Sequence, residues 1–440
     1  MEHVKFHYPD LAALRAELDR LGVTLPLSED LSVLKTPAQV GRFTLANRLA
    51  VQPMEGCDGT ADGAPDELTV RRYDRFADSG AALIWGEACA VVREGRANPR
   101  QLWLHEGSLD AFKRLTDRIR ERSMKKNGFA PLLILQITHS GRYAKPNGVP
   151  APLIAYNNPI FEKDRPIDAS RILSDDALDA LIPRFGEAAA LAEKAGFDGA
   201  DVKCCHRYLF SELMSAYTRP GKYGGSYENR TRLFFDAVRA AKAAVSSGFL
   251  ITSRLNVYDG FPYPYGFGVA DGGGIVPDMT EGVRVAQTLE KQFGYSLLDV
   301  TIGNPYFNPH VNRPYDLGGY VPPEHPLEGE ARMFACVGAV KAACPGLTVI
   351  SSAHSYLRAL SPYLAAGAVK EGVSDLAGFG RMAFAYPDFA SDILHKGSLD
   401  PKRVCLACGK CTELMRAGST AGCVVRDAYY TNLYREVCKK

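Results

Sequence analysis

The chain is 440 residues long, 46% hydrophobic and 23% charged, with a formal net charge of +2. That length buries one large core or two to three ordinary ones. So balanced a charge excludes the basic excess of a nucleic-acid binder or of a protein that rides on anionic lipid.

Residues 1–11 carry acids, His and Pro where a secretory leader has an apolar segment. No apolar run approaches the ~18 residues of a membrane helix, so a cytoplasmic protein is the expectation. Residues 1–35 read as a helical extension, since LAALRAELDRL (11–21) is amphipathic. Eight short β-branched or aliphatic runs follow, at 49–54, 82–89, 132–139, 199–204, 249–256, 297–303, 347–352 and 375–381. Each suits a parallel strand covered on both faces. Helical periodicity fills the gaps, for example at 178–195 and 232–245, and several such stretches stop at a Gly. The alternation predicts an α/β fold, a (β/α)8 TIM barrel over 36–395, with the extension 1–35 before it and a cysteine-rich segment 396–440 after it. A doubly wound open sheet competes, but no Gly-x-Gly-x-x-Gly turn follows the first strand. A Gly- and aromatic-rich loop, 257–275, follows the fifth strand.

In a barrel, function gathers at the C-terminal ends of the strands. The polar residues predicted there are Gln52, Glu87, Gln136, His139, Lys203, His206, Tyr208, Arg254 and Asn256. Small residues after strands seven and eight, around Ser352, Ala353 and Gly380, suit a phosphate cradle, where backbone N–H groups approach an anion closely.

Four of the eleven cysteines fall in CLACGKCTELMRAGSTAGC, spaced Cys405-x2-Cys408-x2-Cys411-x11-Cys423. The other seven are scattered, which favours free thiols and a metal site over disulfides. Three cysteines round one loop and a fourth further along suit a [4Fe-4S] cluster with one thiolate per iron. Zinc, which more often takes two separate Cys-x2-Cys knuckles, stays open. From 401 onward the tail holds eight Lys or Arg against three acids. That charge suits either a thiolate-bound cluster or an acidic electron carrier, and equally a plain solvated face.

The stretches FTLANRLAVQPM (43–54), REGR (93–96), LQITHSGRY (135–143), AGFDGADVKCCHRYL (195–209), YGGSYENRTRLFF (223–235) and GFGRMAFAYPDF (378–389) resemble the Old Yellow Enzyme family of flavin barrels. With the cysteine tail they are most similar to its iron–sulfur branch, which contains 2,4-dienoyl-CoA reductase, 2-enoate reductase and trimethylamine dehydrogenase. The resemblance implies bound FMN, with Pro53 and Met54 packed on the flavin and Gln136 and Arg254 at its pyrimidine edge. Glu87 joins that expected set, and Ser352, Ala353, Gly380 and Arg381 would hold the phosphate. Other members usually carry a Gly pair at 352–353. Cys405, Cys408, Cys411 and Cys423 would hold the [4Fe-4S] cluster.

Tyr208 matches the family's proton donor, and His206 one of its two carbonyl-binding groups. Lys203 stands where the other is commonly His, so it either binds substrate or pairs with an acid such as Glu87. Arg207 replaces a small residue, which predicts a narrower or more cationic pocket. Tyr306 and His310 fall where a substrate lid could sit. Cys204 and Cys205 read as buried apolar fillers. The aromatic stretch 258–267 hints at a flat ligand or at packing against itself.

The activity implied is FMN-dependent reduction of the C=C bond of an unsaturated carbonyl or carboxylate compound. Electrons would arrive through the cluster from a separate ferredoxin, flavodoxin or NAD(P)H-dependent flavoprotein. The reverse, an amine or enone-forming dehydrogenase, is one alternative, and an electron-transfer subunit another. Neither nucleic acid nor membrane is expected as a partner, and self-association is open.

Overall fold

The computed structural model describes residues 3–272 and 275–438. Met1, Glu2, Gly273, Gly274, Lys439 and Lys440, which fall in the predicted extension, aromatic loop and tail, lie outside the described residues.

All eight predicted strands form. They are β1 (Leu49–Val51), β2 (Leu83–Ala90), β3 (Leu132–Thr138), β4 (Gly199–Val202), β5, β6 (Leu297–Thr301), β7 (Thr348–Ser351) and β8 (Leu376–Phe379). Strand β5 is split at Ser253 into Leu250–Thr252 and Arg254–Asn256. The first piece pairs with β4 and the second with β6, so this one strand closes the ring. Every pairing round the ring is parallel. The expected (β/α)8 barrel is therefore the observed fold. Strand residues are buried almost throughout, as a sheet with helices outside and packed side chains inside requires.

The predicted helix over 178–195 is two, Asp175–Asp179 and Ile182–Lys194, because Pro183 can start a helix but not continue one. Among its described residues the N-terminal extension holds one α-helix, α1 (Leu11–Leu21), and a 3-10 turn, Ser32–Lys35. Asp10 caps it by accepting from the Ala13 N–H at 2.8 Å, and Leu11, Leu14 and Leu18 form its buried stripe. A hairpin that the sequence did not announce, Ala38–Val40 with Phe43–Leu45, follows. Its Val40 and Leu45 join Leu83, Trp85, Leu132 and Ile134 in a core at the N-terminal end of the barrel, sealing the end opposite the site.

Helix α2 (Glu67–Ala77) follows β1 and carries Arg72 inward. The tail folds back over the mouth of the barrel through α3 (Lys410–Arg416) and α4 (Ala428–Cys438). It is tied down on both sides of the mouth. On the β1 side, Ala421 N and Thr420 Oγ1 both donate to the Gly56 carbonyl at 2.7 Å. On the β6 side, Asp316 N donates to the Ala407 carbonyl and Arg313 Nη2 to Thr412 Oγ1.

Candidate active site

A cavity of ≈ 1110 Å³, counting its open mouth, lies at the C-terminal ends of the strands.

Its floor is built from side chains on strands, each fixed by a buried carboxylate. Asp201, on β4, accepts from Gln136 Nε2 at 2.6 Å, from Trp85 Nε1 at 2.8 Å and from the Arg254 backbone N–H at 2.8 Å. Burial pushes this carboxyl up to about 7. Asp299, on β6, lies 3.2 Å from Arg254 Nε and accepts from Gln52 Nε2 at 3.2 Å. Arg254 Nη2 also donates to Ser352 Oγ at 3.3 Å. These contacts fix two amides and a guanidinium at the cavity floor, and the buried Gln52 Oε1 is left without a partner.

The cradle side fits an anion. A Cβ at Gly380 would sit 2.8 Å from Met54 Sδ, so the backbone there stays bare. Ala353 adopts φ 74°, a left-handed conformation that favours glycine and that strains an alanine by about 1 kcal/mol. This accounts physically for the Gly expected at 353, whereas Ser352 does not share that conformation. Arg381 lines the same end and donates to the Pro314 carbonyl at 3.1 Å.

The upper wall carries Lys203, His206 and Tyr306. His206 and Arg207 both have positive φ, 63° and 57°, a strained turn that aims His206 into the cavity. Burial, then Lys203, Arg254 and Arg313, hold His206 well below the usual imidazole range, so its ring is neutral and its Nε2 has no protein partner. Lys203 is buried, which lowers its ammonium, and its Nζ sits 3.6 Å from the centre of the Tyr208 ring, a cation–π contact.

Of the predicted set, Pro53, Met54, Gln136, Lys203, His206, Arg254, Ser352, Ala353, Gly380 and Arg381 all line this one cavity. Two do not. Glu87 is turned into a buried ion pair with Arg72 at 2.7 Å and accepts from Gly56 N, because an isolated carboxylate on β2 could not stay charged. It is therefore also not the partner of Lys203. Tyr208 is fully buried behind the wall, its hydroxyl 2.8 Å from that of Tyr306.

Arg207 does not make the pocket cationic, for it pairs with Asp259 at 2.8 Å with both side chains fully buried. His310 bonds Tyr320 outside the cavity, whereas Tyr306 lies on its wall. The loop aromatics pack against other segments, Phe261 on Phe161 and Phe307 and Tyr263 on Tyr217. Cys204 and Cys205 are buried, as expected. Sequence reasoning missed three charged wall residues: Glu55, Arg313 and Arg416. Only the position of Glu55, one residue past Met54, could have flagged it.

A second, smaller cavity is lined by Cys405, Cys408, Cys411 and Cys423. It shares Arg381, Phe384 and Cys411 with the large one, so the two are separated by a single layer of side chains. Among the described residues no three ligating side chains gather as the shell of a single ion.

Residues 34–271, more than half the chain, match the NADH:flavin oxidoreductase / NADH oxidase family. A metal reductase of Desulforamulus reducens is 26% identical over 401 residues, covering 90% of this chain and 53% of that protein. A putative 12-oxophytodienoate reductase 3 of Oryza sativa subsp. japonica is 30% identical over 238 residues, covering 52% of this chain and 59% of that one. The chain thus spans little more than half the length of either. Among solved structures, a 2-naphthoyl-CoA reductase complex superposes with TM-score 0.74 at 20% identity, over 92% of this chain and 58% of that one. That likeness speaks for the fold. The chain belongs to the NADH:flavin oxidoreductase / NADH oxidase family, a family of flavin-dependent oxidoreductases.

Proposed function

We propose that the barrel, 36–395, binds FMN and reduces the C=C bond of an unsaturated carbonyl or carboxylate compound. The observation that carries this reading is the pairing of Lys203 and His206 on one wall above the Gln136–Arg254 floor.

The residues present fit the cofactor. Gln136 and Arg254, pinned by Asp201 and Asp299, offer an amide and a guanidinium to a pyrimidine edge. A cation there favours the anionic reduced flavin. Ser352, Ala353, Gly380 and Arg381 would take the phosphate. When bound, the FMN supplies the hydride.

The chain's own residues do the rest. Lys203 and the neutral His206 hold the substrate carbonyl and stabilise the negative charge that develops on its oxygen. Tyr306 closes the cavity above them. The resemblance assigns the proton to Tyr208, which reaches the cavity only through Tyr306. A cationic amine as substrate is disfavoured, because the face of Tyr208 is already taken by the Lys203 ammonium.

The segment 396–440 is proposed to hold a [4Fe-4S] cluster on Cys405, Cys408, Cys411 and Cys423. Four cysteines lining one cavity would give one thiolate to each iron of such a cluster. Its wall, shared with the flavin cavity, would serve electron entry from a separate ferredoxin, flavodoxin or NAD(P)H-dependent flavoprotein. Among the described residues no helix is long and apolar enough to cross a membrane. The role of residues 1–35 in self-association stays a proposal beside that of capping the barrel.

Anaerobic purification tests both halves. Flavin bands with a broad shoulder near ~400 nm and ~4 irons per chain are expected, and α,β-unsaturated carbonyls should reoxidise the reduced protein. Zinc without iron overturns the cluster. Reduced flavin that no unsaturated carbonyl oxidises overturns the reductase.

A further inference from the structure

Resting on that ene-reductase reading, we propose that Glu55 is the general acid that protonates the substrate's α-carbon, in place of Tyr208. Glu55 follows Met54 in the segment leaving β1, and its side chain lies on the cavity wall with Lys203, His206 and Tyr306. Asn98 Nδ2 donates to its Oε1 at 3.0 Å, which fixes one oxygen and leaves the other to the cavity. Tyr208 lacks such access. It is fully buried, its ring face is covered by Lys203 and its hydroxyl is engaged by Tyr306.

Acidity points the same way. A phenol ionises near ~10 and a glutamate near ~4.3. Burial pushes both Tyr208 and Tyr306 well above the phenol range, making them poorer donors still. Burial also raises Glu55, which favours the protonated, proton-donating form of its carboxyl. The groups facing it are Lys203, Asn98, Cys57, Tyr208 and Tyr306, with the Arg72–Asp58 pair beneath. Arg72 is committed to Asp58 and Glu87. Of the two cations facing Glu55, Lys203 is thus the one left to receive the carboxylate once its proton has gone.

The step balances. The β-carbon gains a hydride, hence two electrons, from the reduced flavin, and the C=C π pair shifts onto the carbonyl held by Lys203 and His206. The Glu55 O–H bond breaks as the α-C–H bond forms, and the carboxylate recovers its proton from water.

The test uses the holoenzyme and three variants, Glu55→Gln, Glu55→Asp and Tyr208→Phe. Enone-driven reoxidation in the wild type should slow as pH rises, because Glu55 must be protonated to act. Glu55→Gln should lose ~100-fold or more in rate and lose that alkaline limb. Glu55→Asp should regain part of the rate with the limb moved, and Tyr208→Phe should keep the limb. Independently of turnover, infrared titration should show a buried carboxylic-acid C=O band that disappears in Glu55→Gln. Two results sink the inference alone: a Glu55→Gln protein with the wild-type rate and limb, or a limb abolished by Tyr208→Phe instead. A Glu55→Gln protein whose only change is a shifted flavin potential would place the carboxyl on the cofactor and overturn it too. A wild type inert to every unsaturated carbonyl fails the ene-reductase reading itself.

Discussion

The floor and the tail-side wall of the cavity treat charge in opposite ways. On the floor each donor is tied to a buried acid: Gln136 to Asp201, Gln52 to Asp299, and Arg254 to Asp299. On the tail side, the ionisable groups acting on Arg313 are Arg381, Cys411 and Arg416, and its hydrogen bond goes to a neutral hydroxyl, Thr412. The floor is thus finished by the barrel itself, and its geometry is preset before any ligand arrives. The wall is left positive, which suits a phosphate or a thiolate-bound cluster that brings the missing negative charge.

The largest test of this contrast is Arg254→Met. It strands Asp299, which is fully buried. Breaking a buried pair costs roughly 3–5 kcal/mol, and the Gln52 amide that remains puts the expected loss at the lower end. The sign with pH follows from Asp299, whose carboxyl burial already raises and which would rise further without Arg254. Below the ordinary carboxylate range the folded and unfolded chains both hold the proton, and little is lost. The destabilisation relative to wild type grows as pH rises above that range, where wild-type Asp299 gives up its proton and the stranded carboxyl of the variant still holds its own. Urea unfolding at acid and neutral pH checks this, and a pH-independent loss would break the argument. FMN binding should weaken together with stability.

A smaller effect is expected where the tail meets the barrel exterior. Arg71 grips Asp427 through both nitrogens, at 2.9 and 3.0 Å, but its side chain is 37% exposed. Solvent screening holds such a pair to about 0.5–1 kcal/mol. Arg71→Ala should therefore leave the urea midpoint of the barrel almost unmoved while hydrogen exchange rises in 420–438 alone. Exchange spreading into β1 and β8 would mean that tail and barrel unfold as one unit.

The barrel was legible because its signal repeats eight times, and a short apolar run bounded by turns is hard to mistake when helices alternate with it. The hairpin 38–45 was not, for its three-residue strands carry no period a window could catch. The site was legible at depth, since the ends of strands point into one mouth, and ten predicted residues meet there. What failed was direction. Glu87 and Gln136 both lie in strands and read alike, yet Glu87 turns to Arg72, a residue of α2 that no strand pattern links to it. Tyr208 sits two residues from His206, yet the consecutive positive φ angles at His206 and Arg207 carry its ring behind the wall. Arg313 and Arg416 were invisible because loop and tail meet across about a hundred residues of sequence.

Arg313→Gln should give the smallest change in stability, and its sign is the informative part. Removing Arg254 leaves a buried acid alone, whereas removing Arg313 relieves a cation that burial and the nearby Arg381 already disfavour. A Gln keeps a donor within reach of Thr412. The protein stripped of FMN and iron is therefore expected to unfold at the same urea concentration as wild type or a higher one. The loaded protein should lose stability relative to wild type, because the anion that the wall was shaped for then lacks a counter-charge. Opposite signs in the stripped and loaded forms would sharpen the contrast between floor and wall. A stripped Arg313→Gln protein as unstable as Arg254→Met would break it, since the wall would then be as fully paired as the floor.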